Sequence, residues 1–490
     1  MSVDPRTPCL VGVAQQTVRP AAGPAPEPLA SWEQVARAAA ADAGAPAALE
    51  SLDGVSIVYC QSWQYDDPVA RLAEALGNDP KQRTYSGIGG TVPLALLADA
   101  ARAIGAGDSD SVLLVSAEAL ATKRSLKRGG ERPAWSHRHP QPPPFPFEQM
   151  PVATEIAHEV FQAWETFPLF DVARRAARGV SLAAEAAERG AMFAAMTRVA
   201  AANPHAWWPE QRTADELVTP TPDNRYVGWP YTKRTVSVMD VDMAAAVLVM
   251  STAEADRLGV PADRRIYLRG YAYAEDPWTV AAHPALDGSP AMAAAAAAAL
   301  DQAGVGVDDL AAFDLYSCFA SSVRFGCDAL GLDLADPRGL TVTGGLPYAG
   351  GPASAYALHS VASMVDVLRR VGDAHGLVTG VGMHMTKHAY AVLSTQPGAP
   401  APAADLTAPL PAPRPVADTH EGEAAVAAYT VAHARDGGAE SGLLILDLPD
   451  GARAYARVRD PDLLADAESR ELVGESVKVT TDGRTNSASW

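Results

Sequence analysis

Strand-like and helix-like segments follow one another along this chain in an order that occurs twice. An apolar run at 9–16, CLVGVAQQ, is followed by an Ala-rich helical pattern and by a second apolar run that ends at Cys60. Short apolar runs are typical of buried strands, and apolar positions spaced near 3.6 residues are typical of helices. The same order returns 258 positions later, where the second strand of the repeat carries Cys318. We therefore predict two α/β halves built on one plan.

A glycine-rich loop followed by a helix and a strand extends the repeat. The first loop is SGIGGTVPL at Ser86–Leu94, and the second is TVTGGLPYAGGPASAY at Thr341–Tyr356, with its helix predicted to open at Pro352. Glycine permits tight turns and close backbone approach, and proline suits a first helical turn. Such loops bring N–H groups to a helix N-terminus, where an anion, a thioester oxygen or an oxyanion is stabilised.

The last repeated strand indicates an insertion in the first half. MAAAVLVMST around Val247 resembles HAYAVLST around Val392, but these two valines are only 145 positions apart. Roughly 120 extra residues are thus placed at about 120–240. Because the segment around 172–201 has amphipathic helical patterns, we predict a helical lid domain there.

The composition changes after Ser394. A Pro/Ala-rich stretch at 396–415 predicts a stiff linker. Beyond it, strand-like segments are interrupted by Asp-Gly pairs at 436–437 and 450–451, which favour hairpins, and a helix is predicted at 461–470. The tail is therefore predicted to be a small β-barrel that folds separately, with a frayed C-terminal end.

Composition and charge narrow the function classes. The 490 residues are 48% hydrophobic and 20% charged, enough for two or three cores. A net charge of -19 argues against nucleic-acid binding. The four cysteines lack CxxC spacing, which indicates reduced thiols and no zinc site, and the longest apolar run, 291–300, is about half of a membrane span. With no signal-peptide pattern, a cytoplasmic protein is expected.

Four loops together carry a resemblance to a known family. SGIGG, YSCF (316–319), GGLPYAGGP and GVGMHMTKH, with the duplicated halves and the lid, are similar to the thiolase superfamily over about 8–395. The added C-terminal domain makes the chain most similar to bacterial thiolase-like proteins, often labelled acetyl-CoA acetyltransferases. The resemblance implies an α/β thiolase fold of two pseudo-symmetric βαβαβ halves, a helical lid and an OB-like domain. We expect the N-terminal half at 1–119 and 241–258, the lid at 120–240 and the C-terminal half at 259–395. The linker is expected at 396–415 and the OB-like domain at 416–490.

The chain departs from the catalytic pattern of that family. The resemblance implies a nucleophilic cysteine near Gly87, a histidine at Gly351 and a Cys-x-Gly motif at Gly380–Gly382, and glycine occupies each position. Thiolase chemistry needs an acyl-cysteine and a second base. The usual mechanism cannot be transferred to these residues.

Other groups in the same loops are candidates for the missing roles. Cys318 is a candidate nucleophile or a buried structural thiol, and His384 and His388 are candidate bases or structural histidines. Ser86 is a further candidate nucleophile that would need an adjacent base, but it is expected to be only a turn or helix-cap residue. The segment WPYTKR, with Tyr231, Lys233 and Arg234, contains the densest basic run near the family's CoA region. These three residues are candidates to hold CoA phosphates, or they form a solvated basic turn. The residues expected to bind substrate are Gly87, Gly89, Gly90, Tyr316, Gly350, Gly351, Gly382, Lys233 and Arg234.

Two function classes follow from these residues and from the resemblance. The first is an acyltransferase-like enzyme that performs acyl transfer or Claisen-type chemistry on CoA thioesters. The second is a non-catalytic acyl-CoA or lipid-binding protein that has lost the nucleophile. In both, CoA thioester is substrate or ligand, no further cofactor is expected, and the chain is a monomer or homodimer.

Overall fold

The repeat seen in the sequence is a repeat in three dimensions. The computed structural model describes residues 3–148, 150–398, 404–405 (backbone only) and 410–490. The first part contains β1 (Pro8–Thr17), α1 (Pro28–Asp42), β2 (Gly54–Ile57), α2 (Pro68–Leu76), β3 (Gln82–Tyr85), α3 (Val92–Ala106), β4 (Ser111–Ala119) and α4 (Leu120–Arg128).

The insertion is helical, as predicted, and contributes two short strands. It contains α5 (Ala153–Ala157), α6 (Ala163–Ala177), α7 (Leu182–Ala202), α8 (Ala214–Val218), β5 (Tyr226–Gly228) and β6 (Tyr231–Thr232). Ser181 starts α7 by accepting a hydrogen bond from the Ala184 N–H at 3.3 Å, as an N-cap residue does.

The chain then completes the first half and forms the second. These elements are β7 (Asp242–Ser251), α9 (Thr252–Arg257), β8 (Ile266–Glu275), α10 (Pro290–Ala303), β9 (Leu310–Asp314), α11 (Ala320–Leu330), α12 (Tyr356–Val371), β10 (His375–Gly382) and β11 (Lys387–Ser394).

One continuous sheet connects the two halves. Its strands follow the order β3-β2-β4-β7-β1-β8-β11-β10-β9, and β1 and β8 pair antiparallel where the halves meet. Within each half the pairing directions match: β2–β4 and β9–β10 are parallel, and β4–β7 and β10–β11 are antiparallel. Helices α3 and α12 pack against each other and against strands of both halves, whereas α1 and α10 each cover one half from outside. The predicted two-half thiolase-type architecture is confirmed.

A pair of glycines shows how closely the halves correspond. Gly12 in β1 faces the backbone carbonyl of Ala39 in α1, and Gly270 in β8 faces the carbonyl of Ala299 in α10. A Cβ added at either glycine would overlap that carbonyl oxygen and lie 3.0 Å from its carbon. The absence of a side chain lets each outer helix pack directly on its strand.

Substituting Gly270 with alanine is therefore expected to lower the free energy of unfolding by about 1–3 kcal/mol, the usual cost of overpacking a rigid core. Urea denaturation of the variant measures this, with Gly288→Ala as control, because no atom lies within 4 Å of a Cβ added at Gly288. Equal stability of the two variants would contradict the close packing.

The tail forms a barrel that is joined to the insertion. After β12 (Ala404–Asp405) come β13 (Gly422–His433), β14 (Ala439–Asp447), β15 (Arg453–Val458), α13 (Pro461–Ser469), β16 (Ser476–Thr481) and β17 (Asn486–Ser489). Strands β13, β14, β15, β17 and β16 close into a five-stranded barrel, because β13 pairs with both β14 and β16.

One expectation for the tail, its frayed C-terminal end, is wrong. The C-terminal end is not frayed: β17 pairs with β15 and β16, and the Trp490 indole N–H donates to Asp466 at 2.7 Å. The barrel is joined to the insertion, since β5 of the insertion pairs with β13 between Gly228 and Ala432. The expected separate folding of the barrel stays a prediction. Residues 399–403 and 406–409 of the predicted linker lie outside the described residues. Among the described helices, none is long and apolar enough to cross a membrane.

Candidate functional site

The first glycine loop approaches the second half so closely that no side chain fits at its end. A Cβ added at Gly90 would overlap the carbonyl oxygen of Val381 and lie 2.5 Å from the Tyr316 hydroxyl oxygen. Gly380 faces back toward the same loop, with its added Cβ 2.8 Å from the Gly90 oxygen. Tyr316 therefore fills the space beside the N-terminus of α3.

Backbone N–H donors without an acceptor remain at the N-terminus of α3 within the described residues. Within the described residues, the N–H groups of Gly90 and Thr91 have no acceptor, whereas the Gly89 N–H donates to Ser354 at 2.9 Å and so connects the two loops. Ser86 is the expected turn residue, because its hydroxyl accepts from the Tyr59 N–H at 2.9 Å and donates to the Gly87 oxygen. The first loop thus keeps two N–H groups free of acceptors within the described residues, and their contact with a ligand stays a prediction.

A buried carboxylate that the sequence analysis missed organises the second loop. Asp314 ends β9, is fully buried and accepts five hydrogen bonds; burial raises the pKa of its carboxyl group. The donors are the hydroxyls of Thr341, Tyr356 and Ser360 and the backbone N–H groups of Val342 and Thr343. The sequence signal was an aspartate at the end of an apolar strand, AAFD, with the threonines of TVTGG beginning 27 positions further on.

The second loop uses most of its own donors, contrary to expectation. The N–H groups of Gly344, Gly345 and Leu346 donate to side-chain hydroxyls at 2.9–3.1 Å, and that of Gly351 donates to the Val238 oxygen at 2.8 Å. Helix α12 begins at Tyr356 rather than Pro352, after a short 3-10 turn. Fewer N–H groups are thus left for a ligand here than in the first loop.

The position at which the family resemblance places a histidine is also filled. A Cβ added at Gly351 would overlap the Ser237 hydroxyl, and one added at Gly350 would lie 2.6 Å from the Met243 sulfur. At Gly87, by contrast, the added Cβ is 3.5 Å from Glu148 Oε1, an ordinary contact. A side chain at position 351 would therefore require Ser237 to move.

Cys318 is a neutral, buried thiol. Its Sγ lies 3.6 Å from the Ser322 hydroxyl, and burial raises the pKa of the thiol to about 12. Because the thiolate is the nucleophilic form, this environment does not activate the sulfur. Ser322 itself donates to the Tyr316 oxygen at 2.8 Å.

His384 is held in one orientation by the insertion. Its Nδ1 lies 2.8 Å from the Thr166 hydroxyl in α6. Met383 and Met385 on either side have φ of 55° and 59°, a left-handed conformation that is costly for non-glycine residues. Burial lowers the pKa of this imidazole to about 4, so His384 is neutral at physiological pH.

His388 belongs to a different cluster. Its buried Nε2 lies 3.1 Å from Asp276 Oδ2, 3.1 Å from the Met385 oxygen and 3.4 Å from the Ser289 hydroxyl. Burial opposes ionisation of Asp276, but its hydrogen bond with His388 keeps the pKa of the carboxyl below the usual value. Cys318, His384 and His388 thus have separate partners, and no hydrogen bond joins any two of them among the described residues.

The basic run on the insertion divides into buried and exposed residues. Tyr231 is fully buried and donates to Asp171 at 2.8 Å, so the prediction that it helps to hold phosphates is wrong. Lys233 is exposed and Arg234 is half-buried. The following segment reaches the site, since the Ser237 N–H donates to the Cys318 oxygen at 2.9 Å.

The low pKa of the His384 imidazole is expected to make the stability of the folded protein depend on pH. This imidazole should titrate in the folded protein near pH 4, whereas the unfolded chain takes up this proton near 6.5. The unfolded state therefore binds more protons between these values, and the stability that His384 contributes is lost as pH falls from about 6.5 towards 4. Histidine NMR spectra of wild type and His384→Gln, which identifies the resonance, measure the midpoint. A midpoint near 6.5 would contradict the buried neutral imidazole.

Parts of this sequence match a known protein family and a curated protein. Residues 406–484 match the family model described as thiolase-like protein type 1 additional C-terminal domain. A 154-residue segment is 34% identical to a 3-ketoacyl-CoA thiolase from Salmonella heidelberg (strain SL476), covering 28% of this chain and 33% of that relative. The chain thus spans about a third of the length of that curated relative.

Two solved structures extend the likeness to the whole chain. Acetyl-CoA acetyltransferase from Syntrophomonas wolfei shares the fold, with a TM-score of 0.59 and 14% identity over 81% of this chain and 100% of its own. The monomeric SCP2-thiolase like protein type 1 from Mycobacterium smegmatis has a TM-score of 0.85 and 31% identity, covering 99% of this chain and 100% of that one. Given this identity over the full length, the chain belongs to the SCP2-thiolase-like proteins of type 1 within the thiolase superfamily.

Proposed function

We propose that this protein binds acyl-CoA thioesters at the first glycine loop and handles them without a cysteine nucleophile. The observation that carries the proposal is the pair of N–H groups, of Gly90 and Thr91, that have no acceptor within the described residues, while the Cys318 thiol has no base as a hydrogen-bond partner there. Family membership supports an acyl-thioester ligand, because the relatives include a protein described as a 3-ketoacyl-CoA thiolase. The same relatives support the acyltransferase-like class without assigning a catalytic residue here.

The ligand would be held by neutral donors. The N–H groups of Gly90 and Thr91 lie at the N-terminus of α3, where the helix dipole favours a partly negative oxygen. Burial raises the pKa of the Tyr316 phenol well above its usual value, so that its hydroxyl stays protonated and can donate. A thioester carbonyl placed here would be polarised by these groups.

Cysteine-based acyl transfer is not supported by the contacts of Cys318. An acyl-cysteine mechanism needs a thiolate or an adjacent base, and this thiol has only the Ser322 hydroxyl as its side-chain partner among the described residues. His384 is oriented by Thr166 and His388 by Asp276. We therefore expect little or no thiolysis, and any acyl transfer that does occur would depend on rearrangement of these groups.

We also propose an oligomeric state and a cellular compartment for this chain. The Mycobacterium smegmatis relative is described as monomeric, and we propose a monomer for this chain. All four cysteines are buried and free, which supports a reducing compartment such as the cytoplasm.

Removing the charges of Lys233 and Arg234 should weaken CoA binding while leaving acyl-pantetheine binding nearly unchanged. Exposed Lys233 makes no ion pair among the described residues, so its ammonium is available to a phosphate. Isothermal titration of the Lys233→Ala/Arg234→Ala variant with both ligands measures this, with Lys81→Ala as an exposed-lysine control. Equal weakening of both ligands would argue against phosphate contacts, and failure of wild type to bind any CoA species would overturn the proposed function.

A further inference from the structure

A large cavity lies between the insertion and the second half of the fold. Its volume is about 1520 Å³, and its walls come mainly from α7, from the segment 332–342 that follows α11, and from α12. Among the described residues, none of Gly90, Tyr316, Cys318 or His384 lines it. The cavity is therefore distinct from the candidate acyl-thioester site.

The residues of α12 that line the cavity form one face of that helix. Ser363, Asp366, Val367 and Arg370 are separated by three or four positions, the spacing of neighbours on one side of a helix. His359 precedes Ser363 by one turn and is 2% exposed, and its Nε2 has no hydrogen-bond partner within the described residues. Because a buried polar atom without a partner costs free energy, this atom favours a ligand that brings a hydrogen-bond donor.

A chain of hydrogen bonds orients the polar groups beside His359. Its Nδ1 lies 3.0 Å from Gln15 Oε1, and the Gln15 amide donates to the Ser363 hydroxyl oxygen at 3.1 Å. Burial lowers the pKa of the His359 imidazole to about 3, so the ring is neutral, and with Nδ1 donating to Gln15 its Nε2 is an acceptor. The Ser363 hydroxyl proton has no acceptor within the described residues and is available to a ligand.

His205 and Asp366 add two titratable groups to the same corner of the cavity. Both line the cavity, and neither side chain has a hydrogen bond or an ion pair within the described residues. Burial lowers the pKa of the His205 imidazole and raises the pKa of the Asp366 carboxyl, whereas the charge of each group opposes the shift of the other. Titratable groups held in this way in a cleft are typical of functional sites. The polar corner, Gln15, His205, His359, Ser363 and Asp366, thus offers donors and acceptors that suit hydroxyl groups, which both donate and accept.

Two arginines of the cavity lack an ion-pair partner. Arg370 is exposed and lies one turn beyond Asp366 on α12, and exposed Arg198 lies on α7; neither forms an ion pair or a side-chain hydrogen bond within the described residues. The three other arginines of the lining are paired: Arg174 with Asp328, Arg178 with Glu188 and Arg338 with Asp336. Guanidinium groups match phosphate oxygens in charge and geometry. A phosphate subsite would thus lie one turn of α12 from the polar corner.

We propose that this cavity binds a sugar phosphate, with its hydroxyls at the polar corner and its phosphate at Arg198 and Arg370. Val367, which lies between Ser363 and Arg370 on the α12 face, would pack on the carbon skeleton. The Asp366 carboxylate repels a bare anion and accepts from a hydroxyl, so the ligand needs both kinds of group. The proposal goes beyond the proposed function and does not depend on CoA binding.

Isothermal titration of the full chain with ribose 5-phosphate, fructose 6-phosphate and glucose 6-phosphate tests the proposal, with glucose and inorganic phosphate as partial ligands. At least one sugar phosphate should bind at submillimolar concentration, and more tightly than either partial ligand. Arg370→Ala should weaken that binding by about tenfold or more, because a charge-assisted contact is lost. Arg128→Ala is the matched control, since Arg128 is also an exposed arginine in the last turn of its helix, α4, and does not line the cavity. Absence of binding by all three sugar phosphates, equal affinity for inorganic phosphate, or equal weakening in the two variants would overturn the proposal.

Asp366→Asn tests the hydroxyl contacts separately. The change keeps the shape of the side chain, weakens its bond to a hydroxyl and removes its repulsion of phosphate. The preference for the sugar phosphate over inorganic phosphate should therefore fall. An unchanged or increased preference would show that the polar corner does not recognise the sugar, contrary to the proposal.

Histidine NMR spectra locate the ligand. The His205 resonance, identified by its absence from His205→Gln, should shift when the sugar phosphate is added and stay in place when octanoyl-CoA is added. A sugar phosphate that binds without moving this resonance occupies another site, and displacement of the sugar phosphate by octanoyl-CoA would place both at one site. Either result would overturn the proposal.

Discussion

Replacing Arg324 with alanine is expected to destabilise the protein by about 3–5 kcal/mol, because it leaves buried Asp171 without its cation and buried Glu185 with only one. Arg324 in α11 is 1% exposed and bonds Asp171 of α6 at 2.8 Å and Glu185 of α7 at 2.6 Å. Arg189 also pairs with Glu185, at 2.5 Å, and Tyr231 donates to Asp171. This network fixes the insertion on the second half, so the predicted lid is part of the core.

The measurement is the midpoint of urea unfolding, compared with Arg178→Ala. Arg178 is at the end of α6 in the same region, but its pair with Glu188 at 3.3 Å is exposed, and such pairs contribute about 0–1 kcal/mol. If both variants lose less than about 1 kcal/mol, the buried network does not hold the insertion, contrary to this account.

Replacing Arg457 with alanine is expected to have an effect of similar size, about 3–5 kcal/mol, for the same reason. Arg457 in β15 of the barrel donates to the His158 oxygen at 2.7 Å, to the Glu159 oxygen at 3.0 Å and to the Glu165 carboxylate at 2.9 Å. All three acceptors belong to the insertion. The change would leave the largely buried Glu165 without its cation.

Arg459 provides a matched control two residues further on. Its side chain is 67% exposed and pairs with Glu159 at 3.5 Å, so Arg459→Ala should lose less than about 1 kcal/mol. The same contacts imply that deletion of 410–490 leaves an insoluble body, contrary to the expectation from the sequence. Recovery of a soluble, folded truncated chain, or wild-type stability of Arg457→Ala, would show that the barrel is independent.

The repeated architecture was predictable because duplication leaves a direct record in the order and spacing of elements. The 258-residue offset between Cys60 and Cys318 is the same as that between Gly12 and Gly270, which pack on equivalent helices. The Asp-Gly hairpins of the tail were also predictable, since turn preferences are local: Gly437 and Gly451 have φ of 95° and 87°.

The candidate site was less predictable, because side-chain partners are set by tertiary packing. Cys318 and His384 lie in the loops that the sequence singled out, but α6 places Thr166 against His384, and Ser322 is the side-chain neighbour of the thiol. Asp314 escaped notice because its five donors lie 27–46 positions away. No local sequence pattern indicates the contacts that join the insertion to the barrel.

Intact-mass spectrometry after incubation with acyl-CoAs tests the central claim, that the protein binds acyl thioesters without forming an acyl-cysteine. Wild type and Cys318→Ala would each be incubated with acetoacetyl-CoA and octanoyl-CoA, then measured under native and denaturing conditions. We expect a complex that is seen in native spectra and lost on denaturation, with identical results for the two proteins. An acyl adduct that survives denaturation in wild type and is absent from Cys318→Ala would contradict it.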